Sequence, residues 1–258
     1  MTTSFLYGLG SNLAVGLPRK ISYAVARRLA DLYSTRSLKD CAAVRSNLRA
    51  VLGREPTPAQ VREVFQNFAM YLADFFRFSR LTRSKAERMV RFDGLDCMEE
   101  ALREGHGAVG ATAHLGNYEL AAAVLCLIGL PVHGVTMSHR NPQVDAFFMR
   151  QRERVGVRGI PVQKMSRKAF LESCLSVLRR NEILGLVADR DFFDHGLEMP
   201  LFGHTLRVPT GPAAFSLRTG APVVPSFWSA RRMGITGSSW NPPFGLPRVW
   251  DGSRPFGR

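Results

Sequence analysis

The sequence contains no run of about 20 uninterrupted apolar residues, so it offers no evident membrane-spanning helix. Cysteine is scarce. Cys41, Cys97, Cys126 and Cys174 stand far apart, and none forms a Cys-x-x-Cys pair. A disulfide framework and a zinc site are therefore not expected, a reduced cytosolic setting fits better, and core packing is the default reading of each thiol. No internal repeat is present. There is no Gly-x-Ser-x-Gly elbow to present a serine nucleophile. No zinc-finger, helix-turn-helix or aromatic RNA-binding pattern occurs either. Negative charge is in short supply: 21 Asp+Glu face 35 Lys+Arg, a net charge of +14. What is abundant is apolar surface, at 45% hydrophobic residues against 22% charged, which excludes disorder for most of the chain. The 258 residues suffice for one large α/β domain or two small ones.

A positive excess of this size attracts anions, whether nucleic acid, anionic headgroups or acidic carrier proteins. It is concentrated early, since residues 1–92 hold 16 Lys+Arg and 6 Asp+Glu. Its densest part is Arg77, Arg80, Arg83, Lys85, Arg88 and Arg91, readable as a solvated helix face or as a membrane-facing patch. Residues 1–17 carry no charge and precede Arg19 and Lys20, the reverse of a signal peptide's order. An N-terminus that dips into a membrane surface and is followed by basic residues fits that order better.

Apolar residues then recur at helical spacing from Ile21 through Val25 and Leu29 to Leu32, with Arg27 and Arg28 placed to snorkel toward phosphates. Further helices are expected over 41–52 and 58–80. In the latter, Val61, Val64, Phe65, Phe68, Leu72, Phe75 and Phe76 read as core. After Phe92 the rhythm changes. Short apolar runs at 107–113, 132–137, 183–188 and 222–228 alternate with helical stretches at 118–128, 142–155, 167–179 and 211–219. That alternation predicts an α/β fold, with a mostly parallel central sheet flanked by helices, joined to a helical basic N-terminal region. The expected division is 1–92 as a helical, membrane-associating region, 93–230 as the α/β core and 231–258 as an atypical loop or tail.

In such sheets ligands bind at the carboxyl ends of strands. The segment Gly107-Ala-Val-Gly-Ala-Thr-Ala-His114-Leu-Gly-Asn-Tyr-Glu119 reads as a buried strand ending at His114. A tight turn through Gly116 follows, then a helix capped by Asn117. Glu119, in the first helical turn, is placed to pair with His114 as a general base, and the helix N-terminus adds positive potential for a developing oxyanion. A lone His near a Glu is often structural, so this pattern alone leaves catalysis open. The other histidines, His106, His133, His139, His195 and His204, read as surface or structural.

Further blocks follow in order: Arg140-Asn141-Pro142, Arg152-x-x-x-Gly156, Ala188-Asp189-Arg190-Asp191, Pro200-Leu201-Phe202-Gly203, Val208-Pro209-Thr210-Gly211-Pro212, and Arg218 through Pro225. Together with the His114–Glu119 segment they resemble the lipid A biosynthesis (late) acyltransferases, a family that includes bacterial phosphatidylinositol mannoside acyltransferases and carries a His-x4-Asp/Glu signature. The likeness runs from about Phe5 to Phe227. It implies transfer of a fatty acyl chain from an acyl carrier protein or coenzyme A thioester to a hydroxyl of a membrane glycolipid, such as a lipid A precursor. His114 would be the base and Glu119 its orienting partner, with no metal or other cofactor. Arg152, and less securely Arg140, would hold a phosphate. Asp189 and Asp191 would contact a sugar, assist His114 or cap a turn. Asn117 is grouped with the substrate-binding residues. The segment before Pro212 either presents backbone N–H groups to an anion or simply starts a helix. The expected setting is the cytoplasmic face of the inner membrane, peripheral or monotopic, as a monomer and without nucleic acid. Members of the family run longer, so the tail after Arg231 reads as a truncated or divergent ending. Two alternatives stay open: a basic nucleic-acid-binding protein, and an inactive lipid-binding relative.

Overall fold

The computed structural model describes residues 3–89, 94–231 and 235–237. The chain forms two compact units. One comprises Met1–Arg80 together with Glu198–Leu206; the other takes Leu81–Leu197 and the chain from Arg207 onward. The expected boundary at residue 92 lies outside the described residues.

The first unit is built on helices α1 (Thr3–Gly16), α2 (Arg19–Arg36), α3 (Leu38–Leu52) and α4 (Pro58–Phe76), followed by a 3-10 turn at Arg77–Arg80. Helix α4 begins where its sequence directs. Thr57 Oγ1 accepts from the Gln60 amide at 3.3 Å and Gln60 Oε1 accepts from the Thr57 amide at 2.9 Å, while Pro58 fills the first helical position. One polar knot joins α2 to α4. Arg19 donates Nε and Nη2 to Asp74 at 3.0 and 2.9 Å, and the Tyr23 hydroxyl donates to the same carboxylate at 2.6 Å. Asp74 is buried, so this satisfaction is what makes its charge tolerable there. Arg77 Nη1 donates to the carbonyls of Ala14 and Leu17, a cation on the orphan acceptors at the end of α1. The aromatic side of α4 is only partly core. Val61 and Phe75 are buried, whereas Phe68 is 60% exposed and Val64 is exposed as well. On α2, Ile21, Val25, Leu29 and Leu32 all face outward. Helical spacing identifies a shared stripe, but it does not say what the stripe faces.

The second unit is an α/β layer structure. Its elements are α5 (Arg83–Met89), α6 (Leu95–Arg103), β1 (Ala108–Thr112), α7 (Tyr118–Ile128), β2 (Val132–Thr136), α8 (Pro142–Glu153), β3 (Arg158–Pro161), α9 (Arg167–Arg179), β4 (Ile183–Val187), α10 (Gly211–Thr219) and β7 (Val223–Pro225). A hairpin of β5 (Leu197–Leu201) and β6 (His204–Val208) interrupts this order before α10. A short antiparallel pair, β8 (Ser229–Arg231) with β9 (Ile235–Gly237), follows β7. The remainder of the tail lies outside the described residues.

The sheet order is β3-β2-β4-β1-β7, with every neighbouring pair parallel. Successive side chains of a strand point to opposite faces. Val109 and Leu184, paired across β1 and β4, bury with Leu178, Cys174 and Phe215 on the face covered by α9 and α10. Their neighbours Ala108 and Ile183 bury with Met98, Leu125 and Val132 on the face covered by α6 and α7. Both faces are thus dry, which is why these strands read as continuous apolar runs. Among the elements that the sequence pattern does not announce are α6, β3 and the β5–β6 hairpin: β3 holds a single buried apolar residue, Ile160, and the hairpin buries no residue.

At the amino-terminal edge of the sheet, His133 Nε2 stands 2.8 Å from Glu182 Oε2, and Arg180 Nη2 stands 2.8 Å from that same oxygen. Burial pushes the His133 imidazole below its ordinary 6.5, helped by Arg180 and Arg158 and opposed by Glu182. The folded protein therefore holds His133 neutral where the unfolded chain takes up a proton. Its contribution is complete above 6.5 and declines as the pH falls through 6.5 toward the lower folded value. Thermal unfolding followed across that acid range is expected to show a steeper loss of Tm for the wild type than for His133→Gln; parallel curves would contradict it.

Candidate active site

The pairing of β1 with β4 sets Thr112 opposite Val187, and the ladder continues with the Ala188 amide donating to the Thr112 carbonyl at 2.7 Å. Two residues beyond each strand end come His114 and Asp189. The parallel register therefore delivers them side by side although 75 positions separate them. His114 Nδ1 lies 2.8 Å from Asp189 Oδ1, and the His114 backbone N–H donates to Asp189 Oδ2 at 2.9 Å. One carboxylate thus grips ring and backbone together. A proton held on Nδ1 by that carboxylate leaves the lone pair on Nε2, the nitrogen able to take a proton from a substrate. Burial pushes the Asp189 carboxyl up, but hydrogen bonds from the His114 ring and amide outweigh it and hold the group below its ordinary value. The Tyr118 ring meets the imidazole edge-on, with centroids 5.3 Å apart. This contact was absent from the sequence reading, although the tyrosine lies only four positions after the histidine.

The pairing expected between His114 and Glu119 is corrected. Glu119 occupies the first turn of α7, but its carboxylate receives the guanidinium of Arg152 from α8: Nε donates to Oε1 at 3.1 Å and to Oε2 at 3.0 Å, and Nη2 donates to Oε1. Both side chains are largely buried. A forked donor on a carboxylate is the geometry that makes such a buried pair tolerable. The pair clamps α7, which starts beside His114, to α8. Arg152 was expected to hold a substrate phosphate, but the structure places its Nε and Nη2 on Glu119.

Asn117 caps α7, its Oδ1 accepting from the Leu120 amide at 2.9 Å. Gly116, at φ +63°, makes the left-handed step between His114 and that cap. Asn117 Nδ2, Thr112 Oγ1 at the end of β1 and Ser138 Oγ just past β2 are buried without a hydrogen-bond partner among the described residues. Orphaned polar atoms of this kind ask for an explanation, and a polar ligand is one. Asp191 has a different task. Its carboxylate accepts from the amides of Phe193 at 3.0 Å and Gly196 at 2.6 Å, holding its own loop, so the turn-capping reading fits it. Arg140 is exposed just before α8. Pro212 lies in the first turn of α10, consistent with a plain helix start.

A neighbouring network also belongs to this edge. Asp145 of α8 accepts from the His139 amide at 2.8 Å and from Lys164 Nζ at 2.6 Å, and the His139 ring packs on Phe148 with centroids 4.4 Å apart. Among the described residues no group of three His, Cys, Asp or Glu side chains is arranged to hold a metal ion.

A carboxylate-backed histidine at the carboxyl edge of a parallel sheet, without a serine elbow, is the arrangement of a general-base site. The chain belongs to the bacterial lipid A biosynthesis acyltransferase family, whose family model matches residues 1–241. Among curated proteins it is similar to phosphatidylinositol mannoside acyltransferases. It is 31% identical over 192 residues to that of Mycobacterium tuberculosis strain H37Rv, covering 71% of this chain and 59% of the relative. It is 28% identical over 185 residues to that of Mycolicibacterium smegmatis, covering 70% and 60% respectively. The match thus spans about three fifths of each relative's length.

Removing one member of the Glu119–Arg152 pair strands the other as a buried charge. Arg152→Ala is expected to cost about 3–5 kcal/mol of stability in denaturant unfolding. The double variant Glu119→Gln with Arg152→Met is expected to recover most of it. An Arg152→Ala chain as stable as the wild type would show that the pair does not brace α7 against α8.

Proposed function

We propose that this chain is an acyltransferase that moves a fatty acyl group from a thioester, on acyl carrier protein or coenzyme A, to a hydroxyl of a membrane glycolipid, with His114 as general base. The observation that carries the reading is the His114–Asp189 contact at 2.8 Å at the carboxyl end of the parallel sheet. Membership of the family and likeness to proteins named phosphatidylinositol mannoside acyltransferases support the substrate class.

His114 Nε2 takes the proton of the acceptor hydroxyl as its oxygen attacks the thioester carbonyl. The resulting imidazolium is stabilised by Asp189. The tetrahedral intermediate's oxyanion is met by the positive end of α7, whose start Asn117 fixes. The C–S bond then breaks, and the departing thiolate takes the proton back from His114. Asp189 is the orienting carboxylate, and the Glu119–Arg152 clamp holds the helix start in place. No acyl-enzyme is needed, because the thioester is already activated. The orphaned donors and acceptors at Thr112, Asn117 and Ser138 suit a polyhydroxylated acceptor. Arg140, exposed before α8, is retained as a candidate contact for an anionic group of donor or acceptor.

The enzyme works at a membrane surface, held there peripherally. Among the described residues no helix is long and apolar enough to cross a membrane. Instead, α2 turns Ile21, Val25, Leu29 and Leu32 outward, beside Lys20, Arg27 and Arg28, which suits a helix lying in an anionic interface. We place it on the cytoplasmic leaflet of the inner membrane, whose headgroups supply the anionic surface and which a soluble thioester donor reaches from the cytoplasm.

Transfer of radiolabelled acyl groups into glycolipid is the test. His114→Ala is expected to lower the rate at least about 10³-fold and Asp189→Asn about 10²- to 10⁴-fold. Transfer that survives His114→Ala at the wild-type rate would sink the mechanism.

A further inference from the structure

The β5–β6 hairpin is unlike the rest of the second half of the chain. Every residue of Leu197–Arg207 is exposed, and Val208 at its base is half-buried. Its tip, Glu198–Leu206, groups with the helical unit. It nevertheless carries large apolar side chains in the open: Met199, Leu201, Phe202 and Leu206 are between 42% and 57% exposed. Leu197, Met199 and Leu201 alternate along β5 and so share one face of the ladder. Solvent alone does not favour such a surface, because soluble proteins rarely gather exposed apolar side chains into one large patch.

The turn adds a second observation. Phe202 has φ +50° and Gly203 φ +74°. Two consecutive left-handed residues define the tight hairpin turn that favours Asn-Gly. A phenylalanine at the first position is strained, since its Cβ crowds the backbone in that region. The strain holds an aromatic ring at the extreme tip, and an outlier of this kind points to a use for the ring.

We infer that the Leu197–Val208 hairpin is an interfacial anchor that inserts its apolar tip into an anionic bilayer; this rests on the membrane-surface reading above. Charge selects this occupant. The chain carries +14; the hairpin itself is balanced by Glu198 and Arg207, but residues 1–80, in the unit that holds its tip, carry 12 Lys+Arg against 5 Asp+Glu. Such a surface is drawn to acidic headgroups and repelled by a second copy of itself. Pro200 removes one ladder donor from β5, which blunts edge-to-edge pairing between chains. A lone two-stranded ladder leaves backbone groups at its edges, so it suits the hydrated boundary of headgroups and acyl chains and not the hydrocarbon core.

Flotation with phosphatidylcholine–phosphatidylglycerol vesicles tests it on the full chain. Phe202→Asn fits the turn better, so its Tm is expected to equal or exceed the wild-type value while vesicle partitioning falls about tenfold. Met199→Ser with Leu206→Ser is expected to act in the same direction. Leu217→Ser, at an exposed leucine of α10, is expected to leave partitioning unchanged. Hairpin variants that bind within twofold of a binding wild type overturn the anchor and leave the membrane reading standing. A wild type that floats with no vesicle overturns both. Light scattering in lipid-free buffer that shows a wild-type dimer dissolved by Phe202→Asn overturns the anchor in favour of self-association.

Discussion

The parallel ladder between β1 and β4 is the constraint on which the site depends. Its register sets Thr112 against Val187 and makes His114 and Asp189 emerge at the same height from adjacent strands. Backbone hydrogen bonds, not side-chain recognition, thus fix the separation of the two groups. The register is stiff because both faces of these strands are buried: a slip by one residue would turn Val109 and Leu184 out of the cluster they share with Leu178 and Phe215. Core packing and candidate chemistry are in this sense one specification. The same apolar runs that keep the sheet dry also hold the imidazole against its carboxylate.

Around that ladder the polar groups divide their labour. Asp189 grips the ring and backbone of His114. Glu119 and Arg152 are locked together and tie α7 to α8. Asn117 starts α7, and Asp191 shapes the loop that follows β4. Each of these carboxylates has its own hydrogen-bond partner, so none is left unsatisfied near His114. The segment His114–Glu119 consequently contains two different devices: a candidate base held by Asp189, and a glutamate that keeps the neighbouring helix in position.

Part of this was legible in the chain. The four apolar runs and the four helical stretches after Phe92 are present as read, because a strand buried on both faces and a helix cap such as Asn117 are local patterns. His114 was legible from the small-residue strand that ends in a glycine turn. The partner of His114 was not. Glu119 is near in sequence and Asp189 is distant, and spacing favours the near residue. Asp189 and Asp191 fit a sugar contact, support of His114 or a turn cap equally well from spacing alone. Likewise the exposure of Phe68 and of the α2 stripe could not be read, since periodicity gives a face without its surroundings.

The sequence by itself determined the α/β class, the positive field, the absence of a serine elbow and the identity of the candidate base. These depend on composition and on neighbours within a few residues. Tertiary structure alone decided which carboxylate meets which cation, that Arg152 serves Glu119, and that Leu197–Val208 forms an exposed apolar hairpin. The physical reason is the same in each case. Pairing across a sheet and burial against another helix are long-range events, set by strand order and register, and one dimension of spacing does not encode them in readable form.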